Sequence, residues 1–284
     1  MQSALIVHSK HTKKYAESLA KDYKDVEFLL VAHMPGEDVL KMKTDKDVVI
    51  GIGGGSVIDT AKIIAKDKDC IAIPTTAAGA AVTPYATVWG REKTSVATKL
   101  PILKTIPDVA KDLPDKVKQS TLFDALSHAI ESYWSKNATP ESKKHSENAI
   151  RLINDYLAEK DINLLIDAGN EAGRAIAISK TNVIHATSYP ITLKYGIDHA
   201  TACGTLLPYF VEYMDFKGLP GLFNFSSTKE LVDFLKKQLV FPKTEEFDPV
   251  SIAEAAMKYE RINHGPKTLN KEILEGILAK IKEG

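Results

Sequence analysis

The strongest constraint on the fold is a glycine-rich segment, Ile50-Gly51-Ile52-Gly53-Gly54-Gly55-Ser56, set between an apolar run and a helical period. A strand that ends in glycines and passes directly into a helix makes a tight turn with close backbone packing. The free N–H groups and positive dipole end of that helix suit a pyrophosphate. Without a ligand, the same segment is simply a strand-to-helix turn. Pro74-Thr75-Thr76 closes the next apolar run and brings two hydroxyls to the same sheet edge. Open parallel sheets bind ligands at that edge. Gly53, Gly54, Gly55, Ser56, Thr75 and Thr76 are therefore candidate cofactor contacts, as is Asp59, one turn into the helix. Lys62 lies a turn further.

The first hundred residues alternate short apolar runs with helical stretches. Ala4–Val7, Val26–Ala32, Asp47–Ile52 and Cys70–Ile73 read as strands, and His11–Lys21 and Ser56–Ala65 as helices. The uninterrupted apolar centre of Asp47–Ile52 predicts burial on both faces, as in a parallel sheet covered by helices. From about Leu113 onward the periods are helical: Ser120–Trp134, Glu141–Tyr156, Glu171–Tyr189, His199–Met214, Lys229–Leu239, Val250–Tyr259 and Lys271–Ile281. Pro190 and Gly196 interrupt the chain between two of these. The expected fold class is an α/β Rossmann-like parallel-sheet domain (1–110) followed by an all-helical domain (111–284), with the active site in the cleft between them.

Composition removes several function classes. The 37 basic and 37 acidic residues give no net charge, so no global field attracts nucleic acid or an anionic membrane. No apolar run approaches the roughly 20 residues of a membrane helix, and Met1-Gln2-Ser3 lacks the basic start of a secretory signal. Cys70 and Cys203 are the only cysteines. They form neither a disulfide scaffold nor a CxxC metal knuckle, and a reducing, cytoplasmic compartment is expected.

Asp124-Ala-Leu-Ser-His128 lies in a helical stretch, and a spacing of four puts its carboxylate and imidazole on one face. Such a pair chelates a divalent ion. Singly, each has a plainer reading: Thr121-x-x-Asp124 resembles a capping box, and His128 reads as a satisfied, half-buried histidine. His185 and His199 add two imidazoles in the apolar helices of the second half. One carboxylate and three neutral imidazoles suit iron(II) or zinc.

These residues, in this order, resemble the iron-containing (group III) alcohol dehydrogenases. The motifs are Gly53-Gly54-Gly55-Ser56-x-x-Asp59-x-x-Lys62, Pro74-Thr75-Thr76, Asp124-Ala-Leu-Ser-His128-Ala-Ile-Glu131 and His185…His199, and the resemblance runs from about Ala4 to Tyr213. That family is related in fold to dehydroquinate synthase and glycerol dehydrogenase. The resemblance implies NAD(P)-linked interconversion of an alcohol and an aldehyde, and places Asp124, His128, His185 and His199 on the four metal-ligand positions, with Fe2+ or Zn2+ as the ion. It also implies a small-molecule partner and a homodimer.

The chain departs from the family pattern at several points. Family members are usually longer. The threonine-rich turn after Pro-Thr-Thr is replaced by Ala77-Ala78-Gly79-Ala80-Ala81. Tyr189 stands where a second histidine often sits one turn after the third ligand, so a histidine proton relay is lost and Tyr189 is the candidate catalytic donor, with water as the alternative. An Asp that often follows the first strand, and repels a 2′-phosphate, is replaced near Ser9-Lys10-His11, which favours NADPH over NADH. Asp124–Ser142 and the stretch from His185 to Thr192 look most like the reductases of phosphonate biosynthesis, which form 2-hydroxyethylphosphonate from phosphonoacetaldehyde. Arg91, Lys93, Lys99 and Lys194 are then candidate phosphonate contacts, although each taken singly reads more readily as a solvated surface charge. A general small-aldehyde reductase, a dehydroquinate synthase-like lyase and a binding protein without turnover are the competing expectations.

Overall fold

The computed structural model describes residues 1–107, 109–238 and 247–283. Five parallel strands form one sheet in the order β2-β1-β3-β4-β7: β1 (Ser3–His8), β2 (Lys24–Leu30), β3 (Val48–Gly53), β4 (Asp69–Pro74) and β7 (Ile102–Leu103). β3 is buried along its whole length, as its unbroken apolar run requires of a strand covered on both faces. Helix α1 (Lys13–Leu19) connects β1 to β2, and α2 (Gly55–Ala65) connects β3 to β4.

The glycines before α2 serve packing as much as turning. A Cβ on Gly51 would lie 2.9 Å from Ala61 Cβ, and one on Gly53 would lie 2.7 Å from Val57 Cγ2. Only bare backbone lets α2 lie this close to β3.

A hairpin absent from the sequence expectations, β5 (Tyr85–Trp89) with β6 (Lys93–Ala97), crosses beside α2. Lys62 holds it there. Its fully buried ammonium pairs with Asp59 Oδ1 at 3.0 Å and donates to the carbonyl oxygens of Ala80 at 2.8 Å and Tyr85 at 2.5 Å. Asp59 Oδ2 accepts from the Thr87 amide at 2.9 Å. A buried charge of this kind persists only when paired and fully hydrogen-bonded.

The remaining described chain is helical: α3 (Asp115–Trp134), α4 (Pro140–Glu159), α5 (Ile162–Ser179), α6 (Val183–Tyr195), α7 (His199–Met214), α8 (Leu219–Leu222), α9 (Thr228–Gln238), α10 (Pro249–Ala256) and α11 (Lys271–Glu283). The helix expected over Glu171–Tyr189 is two helices. Lys180 adopts a positive φ of 65° and Asn182 caps the second helix through the Val183 amide, so the chain turns a corner there. Pro190 does not break the chain; it lies inside α6. Leu239, the end expected for α9, falls outside the described residues.

The Ala77–Ala81 turn also finds its reason here. It crosses α5 at Gly169 and Gly173, where a Cβ on Gly169 would lie 2.3 Å from Ala77 Cα. Small residues on both sides let the loop after β4 lie against α5. No helix among the described residues is long and apolar enough to cross a membrane.

Candidate metal centre and cofactor cleft

α3, α6 and α7 converge where their polar residues meet the carboxyl edge of the sheet. A cavity of about 660 Å³ opens there. Its wall includes Gly55, Ser56 and Asp59 from the glycine turn and α2, Trp89 and Lys93 from the hairpin, and Asp124, His128, His185, Tyr189 and His199 from the helices.

Asp124 and His128 share one face of α3, and His185 arrives from α6. The Nε2 atoms of His128 and His185 lie 3.7 Å and 3.6 Å from the same carboxylate oxygen, Asp124 Oδ1. The two imidazoles stack at 4.4 Å between centroids. His199, at the start of α7, places its ring 5.2 Å from that of His185. Asp124, His185, His199 and Cys203 each offer a donor atom within 4.8 Å of the others. Cys203 is one turn beyond His199 and was not anticipated from the sequence.

Three buried polar atoms in this cluster lack any hydrogen-bond partner: Asp124 Oδ1, His128 Nδ1 and His185 Nε2. Buried polar atoms are rarely left unpaired. A carboxylate oxygen and an imidazole nitrogen that face each other beyond hydrogen-bonding distance fit a cation between them, and a hard carboxylate with imidazoles suits iron(II) or zinc.

Two neighbours set the tautomers. His185 Nδ1 is 2.6 Å from Glu131 Oε2, and Glu131 also accepts from the amides of Asn182 and Ile184. With its Nδ1 proton committed to Glu131, His185 turns Nε2 toward Asp124. Ser188 Oγ donates to the His185 carbonyl at 2.9 Å and so accepts from His199 Nδ1 at 3.1 Å, which frees His199 Nε2 in the same way. Such partners orient metal-binding histidines. Glu131 belongs to the family motif, and its spacing of seven from Asp124 and three from His128 puts it on their helix face.

The electrostatics follow the geometry. Burial pushes His128 down to about 4 and His199 down to about 3, so both are neutral donors at neutral pH. Burial opposes ionisation of Asp124, but the surrounding histidines outweigh it and hold the carboxyl below its ordinary range. Burial likewise opposes protonation of His185, yet Cys203, Glu131 and Asp124 raise it well above the usual imidazole value.

Tyr189 is buried, stacks on His199 at 5.5 Å and accepts hydrogen bonds at its hydroxyl from Arg261 Nη1 at 3.1 Å and Lys93 Nζ at 3.3 Å. Burial would raise its pKa, but Lys93, Arg261 and His185 prevail and lower it.

The expected cofactor residues separate into two sets. Gly55, Ser56 and Asp59 line the cavity, whereas Gly53, Gly54, Thr75, Thr76, Ser9 and Lys10 do not. Asp59 is already engaged by Lys62 and Thr87. Ser9 and Lys10 follow β1 where His8 pairs with Ile52, so they stand beside the glycine turn. The expected substrate cations need correction. Of the four, only Lys93 lies in the cavity wall. Lys99 pairs with Asp69 at 2.9 Å, Lys194 reaches Ser251 and Asp248, and Arg91 is exposed in the hairpin turn. Arg261, which the sequence did not single out, also lines it.

A parallel-sheet edge and a buried Asp–His cluster facing one cavity define an α/β-plus-helical protein with a candidate metal centre. Two family models match the chain: iron-containing alcohol dehydrogenase over residues 2–111, and the C-terminal part of the Fe-containing alcohol dehydrogenase family over residues 118–218. Together they take in most of the sequence, and the chain belongs to the iron-containing alcohol dehydrogenase family. It is 31% identical to the phosphonoacetaldehyde reductase of Streptomyces viridochromogenes, over 59% of this chain and 53% of that protein. It is also 31% identical to long-chain-alcohol dehydrogenase 1 of Geobacillus thermodenitrificans, over 59% and 52%. The chain thus spans about half the length of the curated relatives it matches. Among solved structures, sulfoacetaldehyde reductase from Bifidobacterium kashiwanohense in complex with NAD+ superposes with a TM-score of 0.84 at 21% identity, over 99% of this chain and 91% of that one. At that identity the likeness is one of fold.

Proposed function

We propose that this chain reduces a small aldehyde to its alcohol with a nicotinamide cofactor, using a divalent ion held by Asp124, His128, His185 and His199. In its sharpest form the reaction takes phosphonoacetaldehyde to 2-hydroxyethylphosphonate; a general small-aldehyde reductase is the broader alternative. One observation carries the reading: Asp124 Oδ1 and His185 Nε2 are buried, mutually facing and without partners, in the same cavity that the start of α2 lines. The division into an α/β unit over 1–110 and a helical unit over 111–284 belongs to this reading, and the cleft between them is the cofactor cleft.

Bound Fe2+ or Zn2+ supplies Lewis-acid polarisation of a carbonyl, and bound NADPH or NADH supplies the hydride. The protein's own groups do the rest. Gly55 and Ser56 offer amide N–H groups at the positive end of α2 to the cofactor's phosphates, beside the turn formed by Gly53, Gly54, Thr75 and Thr76. Ser9 and Lys10, at the end of β1, favour NADPH. Glu131 and Ser188 hold two histidines in donor-ready tautomers. Tyr189 keeps its own proton while its oxygen accepts from Lys93 and Arg261. It delivers that proton to the developing alcohol, and the two cations stabilise the phenolate it leaves.

The test is NADPH and NADH oxidation over a panel of aldehydes that includes phosphonoacetaldehyde, with iron or zinc restored. His199→Ala should abolish both metal content and turnover. Full activity after metal removal would overturn the assignment.

A further inference from the structure

The hydroxyl of Tyr189 is a meeting point for two cations drawn from distant parts of the chain. Lys93 opens β6 and Arg261 lies in the short 3-10 turn Glu260–His264 between α10 and α11. Lys93 Nζ also sits 4.7 Å over the Tyr189 ring, and the Arg261 guanidinium carbon 5.7 Å from it. Both side chains are half-buried and both line the cavity. Arg261 donates further to Thr181 Oγ1 at 2.8 Å, and Lys93 reaches Ser95 Oγ at 3.4 Å. Among the described residues, no carboxylate lies within ion-pairing distance of either.

That arrangement is costly for a fold with no use for it. Two like charges sharing one neutral acceptor repel each other, and partial burial strengthens the repulsion. The acidic groups in and beside the cavity are spoken for: Asp59 by Lys62, Glu131 by His185, Asp124 by the histidine cluster, and Asp198 in the cavity wall by the Thr201 amide it caps. An arginine presents five donors and a lysine three. Half of those donors are left over after the bonds to Tyr189, Thr181 and Ser95 are counted.

We propose that Lys93 and Arg261 form an oxyanion subsite, and that the substrate is a short aldehyde whose far end carries a phosphonate, sulfonate or carboxylate. The inference rests on the reductase reading above and specifies its substrate class. Planar, charge-assisted recognition of an oxyanion is what a guanidinium supplies, with the ammonium as a second point charge. The subsite adjoins the donor cluster, because Tyr189 stacks on His199. The oxyanion and the reacting carbonyl must therefore be only a few bonds apart. Cofactor phosphates are the other source of anionic oxygen. The turn at Gly55 and Ser56 suits them, whereas Tyr189 follows His185 by one turn on α6 and stacks on His199, on the side of the reacting group.

Two measurements on the whole chain separate the outcomes. In the first, methylphosphonate is titrated calorimetrically into metal-free protein, with 2′,5′-ADP as the cofactor-side control. Saturable binding that Arg261→Gln and Lys93→Gln each weaken roughly 10- to 100-fold is expected, the range for a lost hydrogen bond to a charged group. Binding of 2′,5′-ADP should be unchanged. In the second, kcat/KM is compared for succinate semialdehyde and the neutral butanal. Arg261→Gln should lower the anionic value roughly 10- to 100-fold more than the neutral one, whose own loss reports what Tyr189 forfeits as a proton donor, and Arg261→Lys should recover part of the anionic loss. No methylphosphonate binding, or equal losses on both aldehydes, would overturn the subsite. If neither aldehyde is reduced but methylphosphonate binds and loses its site in both variants, the subsite stands and the reductase reading falls. Should Arg261→Gln fail to fold, Lys93→Gln carries both measurements.

Discussion

The imidazole of His185 and the carboxylate of Glu131 meet at 2.6 Å with both side chains buried, and this contact aims the other ring nitrogen at Asp124. Replacing Glu131 with Gln removes the charge and leaves a weaker acceptor. Metal affinity should fall roughly 10- to 100-fold, the usual range for losing an orienting partner of a metal-bound histidine. A chelator competition titration measures this, with circular dichroism reporting that the fold is kept. Unchanged affinity would mean that Asp124 and the other histidines hold the ion without His185 being aimed.

The raised pKa of His185 has a consequence for metal uptake. The metal-free protein carries an imidazolium there at neutral pH, and an incoming ion must displace the Nε2 proton while the Nδ1 proton stays on the Glu131 side. Loading at pH 7 should release one proton, and apparent affinity should rise about tenfold per pH unit below the raised value. His128 and His199, pushed down to about 4 and 3, add nothing to that release at pH 7. The sign for stability is the reverse. A raised folded value contributes stability to the metal-free protein that is fully present below the unfolded pKa and lost as pH climbs through the folded one. Calorimetry in buffers of different ionisation enthalpy counts the protons. Zero would refute the imidazolium, and two would add Cys203 as a thiolate donor.

Lys62→Met strands Asp59 in a mostly buried position, where it keeps only the Thr87 amide. Removing one partner of a buried pair costs about 3–5 kcal/mol, measurable by urea denaturation. The double variant with Asp59→Asn should recover part of that. Equal destabilisation of the single and double variants would show that the carbonyl contacts of Lys62, rather than its charge pairing, hold the hairpin.

Gly169→Ala tests the crossing of the Ala77–Ala81 turn over α5. The added carbon would lie 2.3 Å from Ala77 Cα and 2.5 Å from its carbonyl atoms, so backbone must move. A loss of about 1–3 kcal/mol is expected from overpacking, read as a lowered urea midpoint. A neutral result would show that the turn shifts freely.

Much of this was readable from the chain, and the failures have physical causes. The Asp124–His128 pair was legible because helical spacing alone puts i and i+4 on one face. The parallel sheet was legible because a doubly covered strand shows an unbroken apolar run. His185 and His199 sit on separate helices, so no spacing rule unites them, and the family resemblance had to supply that step. The β5–β6 hairpin escaped because its strands are short and only alternately buried on β5. The corner at Lys180 escaped because nothing local marks a lysine for a positive φ. Arg261 was invisible for a plainer reason: a charge in a short turn gains meaning only from what it faces. The same blindness made Lys99 and Lys194 look equivalent to Lys93.

Arg261 lies beyond residue 218, where the family-model match ends, whereas every proposed metal donor lies before it. On the proposed reading, the arginine that grips the substrate's far end sits apart in sequence from the metal donors, whereas Lys93 and Tyr189, which it meets, do not. On that reading a lineage could shift its choice of substrate by rewriting a single small turn, leaving the metal donors untouched and retuning only the hydroxyl of Tyr189. A breeder of enzymes could begin at the same turn.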